Sequence, residues 1–244
     1  MTKPFLILQL RPEDFASDDE FNAMINRGKI DPSRVHRVRL DEAPLGEVNL
    51  DDYAGVVIGG GPGCVSDKPE EKDPLEDRME KDALRLMPEI VARDMPFLGC
   101  CLGLGILAKH LGGDVAKGRY AEPVGGTDCR LTEAGRADPL LDGLPEEFQV
   151  LVGHKESVQE TPPGAVNLVE GVACPIQMIR VKSNVYATQF HPESNGDTFA
   201  GRVDAYKHRG YFPPEEAEAL KARLLALDIT VPNRILQRFF SHYG

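Results

Sequence analysis

In the run Pro96-Phe97-Leu98-Gly99-Cys100-Cys101-Leu102-Gly103-Leu104-Gly105, a cysteine follows a short apolar stretch and sits among three glycines. The stretch after Met95-Pro96 reads as a buried strand. Leu102, Leu104, Ile106, Leu107, Ala108 and Leu111, stopped at Gly112-Gly113, read as a buried helix. Small residues at 99, 103 and 105 suit a tight strand-to-helix turn, where backbone and side chains crowd. Cys101 is the residue that such a turn lifts to the helix N-terminus. There the helix dipole and free N–H groups favour the thiolate, the nucleophilic form of cysteine. The pattern is a nucleophile elbow with Cys in place of Ser. A plainer reading makes Cys100 and Cys101 small core fillers, as free cysteines often are, and this stretch alone does not choose.

A cysteine nucleophile needs a base, and the base needs an orienter. Of six histidines, at 36, 110, 154, 191, 208 and 242, His191 stands out. It ends the apolar run Val185–Phe190, in Gln189-Phe190-His191-Pro192-Glu193. Pro192 stiffens the exit, and in an extended segment Glu193 shares a face with His191. A carboxylate there fixes the imidazole tautomer. The plainer alternative is a surface histidine before a turn proline.

Acyl chemistry also needs donors for the developing oxyanion, each contributing about 3–4 kcal/mol. Leu102 N–H, next after Cys101, is one candidate. Gly59-Gly60-Gly61-Pro62-Gly63 follows the apolar run Tyr53–Ile58, so it lies at the carboxyl edge of a parallel sheet, where ligands of such folds bind. Its glycines let backbone approach a substrate. It lacks a complete GxGxxG and a Walker lysine, so nucleotide binding is not expected.

The elements that must position these residues alternate. Phe5–Leu10 reads as a strand, and Asp18-Asp19-Glu20 as the start of a helix through about Asn26. Val35–Leu40 reads as an outer strand. Ser66 to Asp73 reads as a mobile surface loop. Asp73-Pro74 caps a helix whose Leu75, Met79, Leu84, Met87 and Val91 share one face. Strand, crossover helix and strand at short intervals predict an α/β fold, a mostly parallel sheet with helices on both faces. Residues 113–150 show turn residues and short apolar runs. Ile176–Val181 and Val185–Phe190 form a small antiparallel hairpin. Two helices follow, from Pro213 to about Leu227 and over Pro232–Tyr243, and residues 197–244 offer no second domain beyond them. No repeat or linker divides the chain, which reads as one unit over 1–244.

With 244 residues the chain can bury a real core. Its net charge of -11 argues against nucleic-acid binding through a basic surface. Five cysteines, at 64, 100, 101, 129 and 174, lack metal-ligand spacing and suit a reducing compartment. Met1-Thr2-Lys3-Pro4 leads into only a short apolar run, so neither signal peptide nor membrane span is expected. A cytoplasmic protein without metal or cofactor is the expectation.

Taken together, the motifs resemble the class I (triad) glutamine amidotransferases. Gly99-Cys100-Cys101-Leu102-Gly103 is similar to that family's G-x-C-x-G, His191-Pro192-Glu193 to its H-P-E, and Gly60-Gly61-Pro62-Gly63 to its oxyanion loop. The resemblance implies a flavodoxin-like amidotransferase architecture. It implies Cys101 as nucleophile on the glutamine side-chain amide, His191 as proton shuttle, Glu193 as orienter, and Gly61 and Leu102 N–H as oxyanion donors. Gly153-His154-Lys155-Glu156-Ser157-Val158 resembles the substrate-binding loop of members related to GMP synthase, which implies substrate roles for Gly63, Gly105, His154 and Lys155. The implied substrate is glutamine or another γ-glutamyl compound, and the implied partner is a separate synthase subunit that accepts ammonia. The alternatives are a stand-alone hydrolase and a catalytically idle regulatory homologue. Two positions depart from the family pattern: Gly105 stands where a substrate-contacting Gln is usual, and Lys155 where Gly is common.

Overall fold

A computed structural model describes residues 3–244; Met1 and Thr2 lie outside the described residues. The elements run β1 (Phe5–Gln9), α1 (Asp14–Gly28), β2 (Val35–Arg39), β3 (Gly55–Ile58), α2 (Pro74–Leu84), α3 (Met87–Arg93), β4 (Phe97–Cys100) and α4 (Leu102–His110). They continue with β5 (Val115–Leu131), α5 (Glu133–Arg136), β6 (Glu147–Val158), β7 (Ala165–Gly171), β8 (Met178–Val181), β9 (Val185–Thr188), α6 (Gly196–Tyr206), α7 (Ala217–Leu225) and α8 (Asn233–Tyr243).

The strands form one nine-stranded sheet, in the order β2-β1-β3-β4-β9-β8-β7-β5-β6. From β2 to β9 every pair is parallel. β1, β3 and β4 are buried throughout, which is why they read as continuous apolar runs rather than alternating ones. Helices cover both faces. Met79, Ala83, Met87, Ile90, Leu104 and Leu107 from α2, α3 and α4 pack on one face. Met24 and Ile25 of α1 and Ile235, Leu236, Phe239 and Phe240 of α8 pack on the other. The expected α/β architecture is present, and the carboxyl ends of β1, β3, β4 and β9 open on one edge.

Several expectations are corrected. The helix expected over 74–91 is two helices, because Pro88 has no N–H to donate and its ring crowds the carbonyl of Leu84. The first helix starts at Asp14 and ends at Gly28; Asp18 and Asp19 do not cap it but pair with Arg37 and Arg202. Residues 66–73 hold a short 3-10 turn at Pro69–Glu71, and Ser66 is tied to Glu156. The stretch 113–150 carries the 17-residue β5 and the start of β6, so antiparallel pairing extends beyond the β8–β9 hairpin. Three helices, not two, occupy the chain from residue 196 on. The additional one, α6, is announced by an Asn195/Thr198 capping box and by Phe199, Ala200, Val203 and Tyr206 on one face.

Candidate active site

Cys101 is where β4 turns into α4. Its backbone sits at φ 52 and ψ -98, a conformation that costs a non-glycine residue energy. The turn is held because Cys101 N–H donates to Thr188 O at 2.7 Å, while the Cys101 carbonyl accepts from Leu104 N–H at 2.9 Å and starts the helix. Two glycines are obligatory by space: a Cβ on Gly99 would meet Gly103 O at 2.7 Å, and one on Gly103 would meet Ile58 O at 2.9 Å. Side-chain alternation sends Cys100 into the core between the sheet and α8, fully buried. Cys101 keeps partial exposure.

Burial, opposed by the Arg11 guanidinium, pushes the Cys101 thiol up to about 12. The expected stabilised thiolate is therefore corrected. Desolvation outweighs the helix N-terminus, and the resting residue is a neutral thiol that needs a base. Burial raises Cys100 still further.

His191 and Cys101 line the same cleft. His191 Nδ1 lies 2.8 Å from Glu193 Oε1. The segment is not extended as expected: Ser194 N–H donates to His191 O at 3.1 Å, so residues 191–194 form a turn, with Pro192 supplying the fixed φ. Turn and strand alike bring carboxylate and imidazole together. Glu193 is fully buried, and Arg202 Nη1 donates to the same oxygen at 3.2 Å. Burial alone would raise its carboxyl; the attraction of His191, Arg202 and Arg11 overrides that and holds it well below the usual carboxylate range. An ionised Glu193 accepts from Nδ1–H, which leaves His191 Nε2 as the acceptor nitrogen.

The glycine loop after β3 is braced from below. Buried Glu20 accepts from Gly60 N–H at 3.1 Å and from Arg11 Nε at 2.7 Å. Gly61 packs directly on Leu10 O and the Leu102 side chain. Its N–H, and that of Leu102 in the first turn of α4, have no acceptor among the described residues.

Two clefts meet at Cys101. Gly63, Gly105, His154 and Lys155 all border one of them, about 350 Å³, with Cys64, Glu156 and Gln189. His154 contributes differently from expectation. It lies within β6 rather than a loop, and both ring nitrogens are already engaged, Nδ1 with Glu156 O at 2.9 Å and Nε2 with Glu122 Oε2 at 3.0 Å. It shapes the wall instead of offering a free polar atom. Lys155 Nζ reaches Pro62 O at 3.4 Å and lies 4.8 Å from the Tyr211 ring centre. The Glu156 carboxylate is spent on the loop opposite: it accepts from Val65 N–H at 2.8 Å and Ser66 N–H at 2.9 Å.

Arg11, Glu20, Glu156, Arg202, Tyr206 and Tyr211 were not legible as site residues, being single residues far apart in sequence. Arg202 and Tyr206 follow from helical spacing once α6 is recognised; nothing local marks Tyr211. Among the described residues no helix is long and apolar enough to cross a membrane.

Residues 19–203 match the family model described as "Glutamine amidotransferase class-I". The chain is 31% identical over 193 residues to the glutamine-hydrolysing subunit of the GMP synthase of Archaeoglobus fulgidus, covering 78% of this chain and 91% of that one. It is 31% identical over 163 residues to the glutamine-hydrolysing GMP synthase of Thermosipho africanus, covering 66% of this chain but only 28% of that longer protein. A crystal structure of a glutamine amidotransferase from Thermotoga maritima superposes with a TM-score of 0.71 at 22% identity, over 98% of this chain and 99% of that one, and so shares the fold. The cysteine elbow and the histidine turn described above both lie inside the matched segment, and the chain belongs to the class I glutamine amidotransferase family.

Proposed function

We propose that the chain hydrolyses the side-chain amide of glutamine, releasing ammonia and glutamate through a γ-glutamyl thioester on Cys101. One observation carries the reading: a cysteine in a strained turn and an imidazole held by a buried carboxylate border one cleft. His191 Nε2 takes the thiol proton as Sγ attacks the amide carbon. Gly61 and Leu102 N–H stabilise the oxyanion. His191 then passes the proton to the departing nitrogen, the C–N bond breaks, and ammonia leaves. Water, deprotonated by His191, cleaves the thioester and restores the thiol. Glu193 orients His191 and stabilises its cationic form. The cleft of Gly63, Gly105 and Lys155 takes the amino-acid end.

Relatives named as one subunit of a GMP synthase support transfer of the ammonia to a separate synthase chain. Purified chain incubated with glutamine should release glutamate and ammonia in equal amounts, and Cys101→Ala should abolish this. Undiminished turnover by Cys101→Ala overturns the assignment. Co-purification identifies the acceptor of the ammonia.

A further inference from the structure

We propose that the cleft on the His191 side of Cys101 is a leaving-group subsite, and that it accepts γ-glutamyl amides whose amine carries a neutral apolar or aromatic body. The proposal rests on the hydrolase reading and names its substrate class.

Cys101, Gly61 and Tyr211 border both clefts and so mark where the scissile bond lies. A tetrahedral carbon on Cys101 Sγ carries an oxyanion, a glutamyl chain and an amine. With the oxygen toward Gly61 and Leu102 N–H, and the glutamyl chain in the cleft of Gly105 and Lys155, the amine faces His191, which must protonate it. His191 borders the other cleft. Ammonia needs no volume there, yet the cleft encloses about 470 Å³, its mouth included.

Its walls are Val124, Phe199, Val203, Phe212 and the rings of Tyr206 and Tyr211. Phe199 packs edge-on against the His191 ring, centroids 5.3 Å apart, so the apolar wall reaches the base itself. The bordering charges are already paired: Arg11 with Glu20 at 2.7 Å, and Arg202 with Asp19 at 2.7 Å and Glu193 at 3.2 Å. A charged amine would enter without a counter-charge, whereas an apolar body would exchange water for rings. One donor remains: Arg202 Nη2 is buried without an acceptor among the described residues, and suits a single polar atom on the amine. Tyr206, Tyr211 and Phe212 lie past residue 203, outside the segment the family model matches.

The atoms balance as for glutamine. The Sγ–C bond forms, the C–N bond breaks, the thiol proton passes through His191 to the amine, and water releases glutamate. The test gives purified chain L-γ-glutamyl-benzylamide or L-glutamine and measures benzylamine, ammonia and glutamate. The benzylamide should show kcat/KM at least tenfold above glutamine. Val203→Trp on α6 and, independently, Val124→Trp on β5 should each reduce benzylamide turnover at least tenfold more than glutamine turnover, in protein that melts cooperatively. Glutamine cleaved without benzylamide cleavage, or both variants lowering both rates equally, overturns the subsite and leaves the hydrolase reading intact. Failure on both substrates by chain whose Cys101 still reacts with a glutamine-like electrophile likewise overturns the subsite. Failure on both with Cys101 unreactive overturns the hydrolase reading itself.

Discussion

Glu193→Gln separates two roles of one buried carboxylate. The amide keeps the shape and can still meet His191 Nδ1, but the negative charge is lost. In the parent, Glu193 Oε1 accepts from His191 at 2.8 Å, Ser194 Oγ at 3.1 Å and Arg202 Nη1 at 3.2 Å, with no exposure to solvent. Removing one partner of a buried ion pair costs about 3–5 kcal/mol. Arg202 keeps Asp19 at 2.7 Å, so the lower end, about 3 kcal/mol, is expected. In a chain of this size each kcal/mol moves Tm by about 2–4 °C, which gives a drop of about 6–12 °C. The kinetic loss is separate. Without the carboxylate the imidazolium formed during attack is unsupported, and losing a triad acid costs about 10⁴-fold in kcat. The assays are a thermal melt and glutamate release at saturating glutamine. The sign of the pH dependence follows from the carboxyl being lower folded than unfolded. The pair's contribution is full above the unfolded value of about 4.3 and is lost as pH falls toward the folded one. The Tm gap between parent and variant should therefore hold between about pH 5 and 9 and shrink below about 4. A variant within tenfold of parental kcat, or a Tm gap that is absent at neutral pH, refutes the reasoning.

A glutamine-like electrophile should label Cys101 and spare both Cys100, which is buried in the core, and Cys64, which shares the cleft without a base; peptide fragmentation checks this, and main labelling at either of the others contradicts it. His191→Ala should lose about 10²–10⁴-fold in turnover, measured as glutamate release, because no other side chain can carry the proton. Gly105→Gln should lower KM for glutamine by about 10–150-fold with kcat similar, since a ground-state contact to a charged group is worth about 1.5–3 kcal/mol. A Cβ at 105 meets Val65 Cγ2 at 3.2 Å and Glu156 Oε1 at 3.4 Å, so a melt must accompany the kinetics, and a micromolar KM in the parent contradicts the vacancy at 105. Tyr211→Ala, which removes the ring shared by both clefts and stacked on Lys155, should raise KM more than it lowers kcat in the same glutamate assay.

What local sequence determined was whatever depends on neighbours along the chain. The Gly99–Gly103 elbow, the His191-Pro192-Glu193 turn and the buried parallel strands β1, β3 and β4 all announce themselves by period or by small residues where backbones touch. Tertiary structure decided what depends on distant groups. The Cys101 thiol rises rather than falls because burial is a property of the packed site, invisible to a dipole argument made from one helix. His154 is taken up by Glu122, 32 residues away, which no local pattern foretells. Arg202 reaches Glu193 only because α6 folds back over the site, and its other partner, Asp19, comes from the far end of the chain. The wall of Tyr206, Tyr211 and Phe212 beside Cys101 exists for the same reason. Apolar groups widely separated in sequence close over the sheet edge because burying them together removes them from water, and where they meet is set by the whole fold.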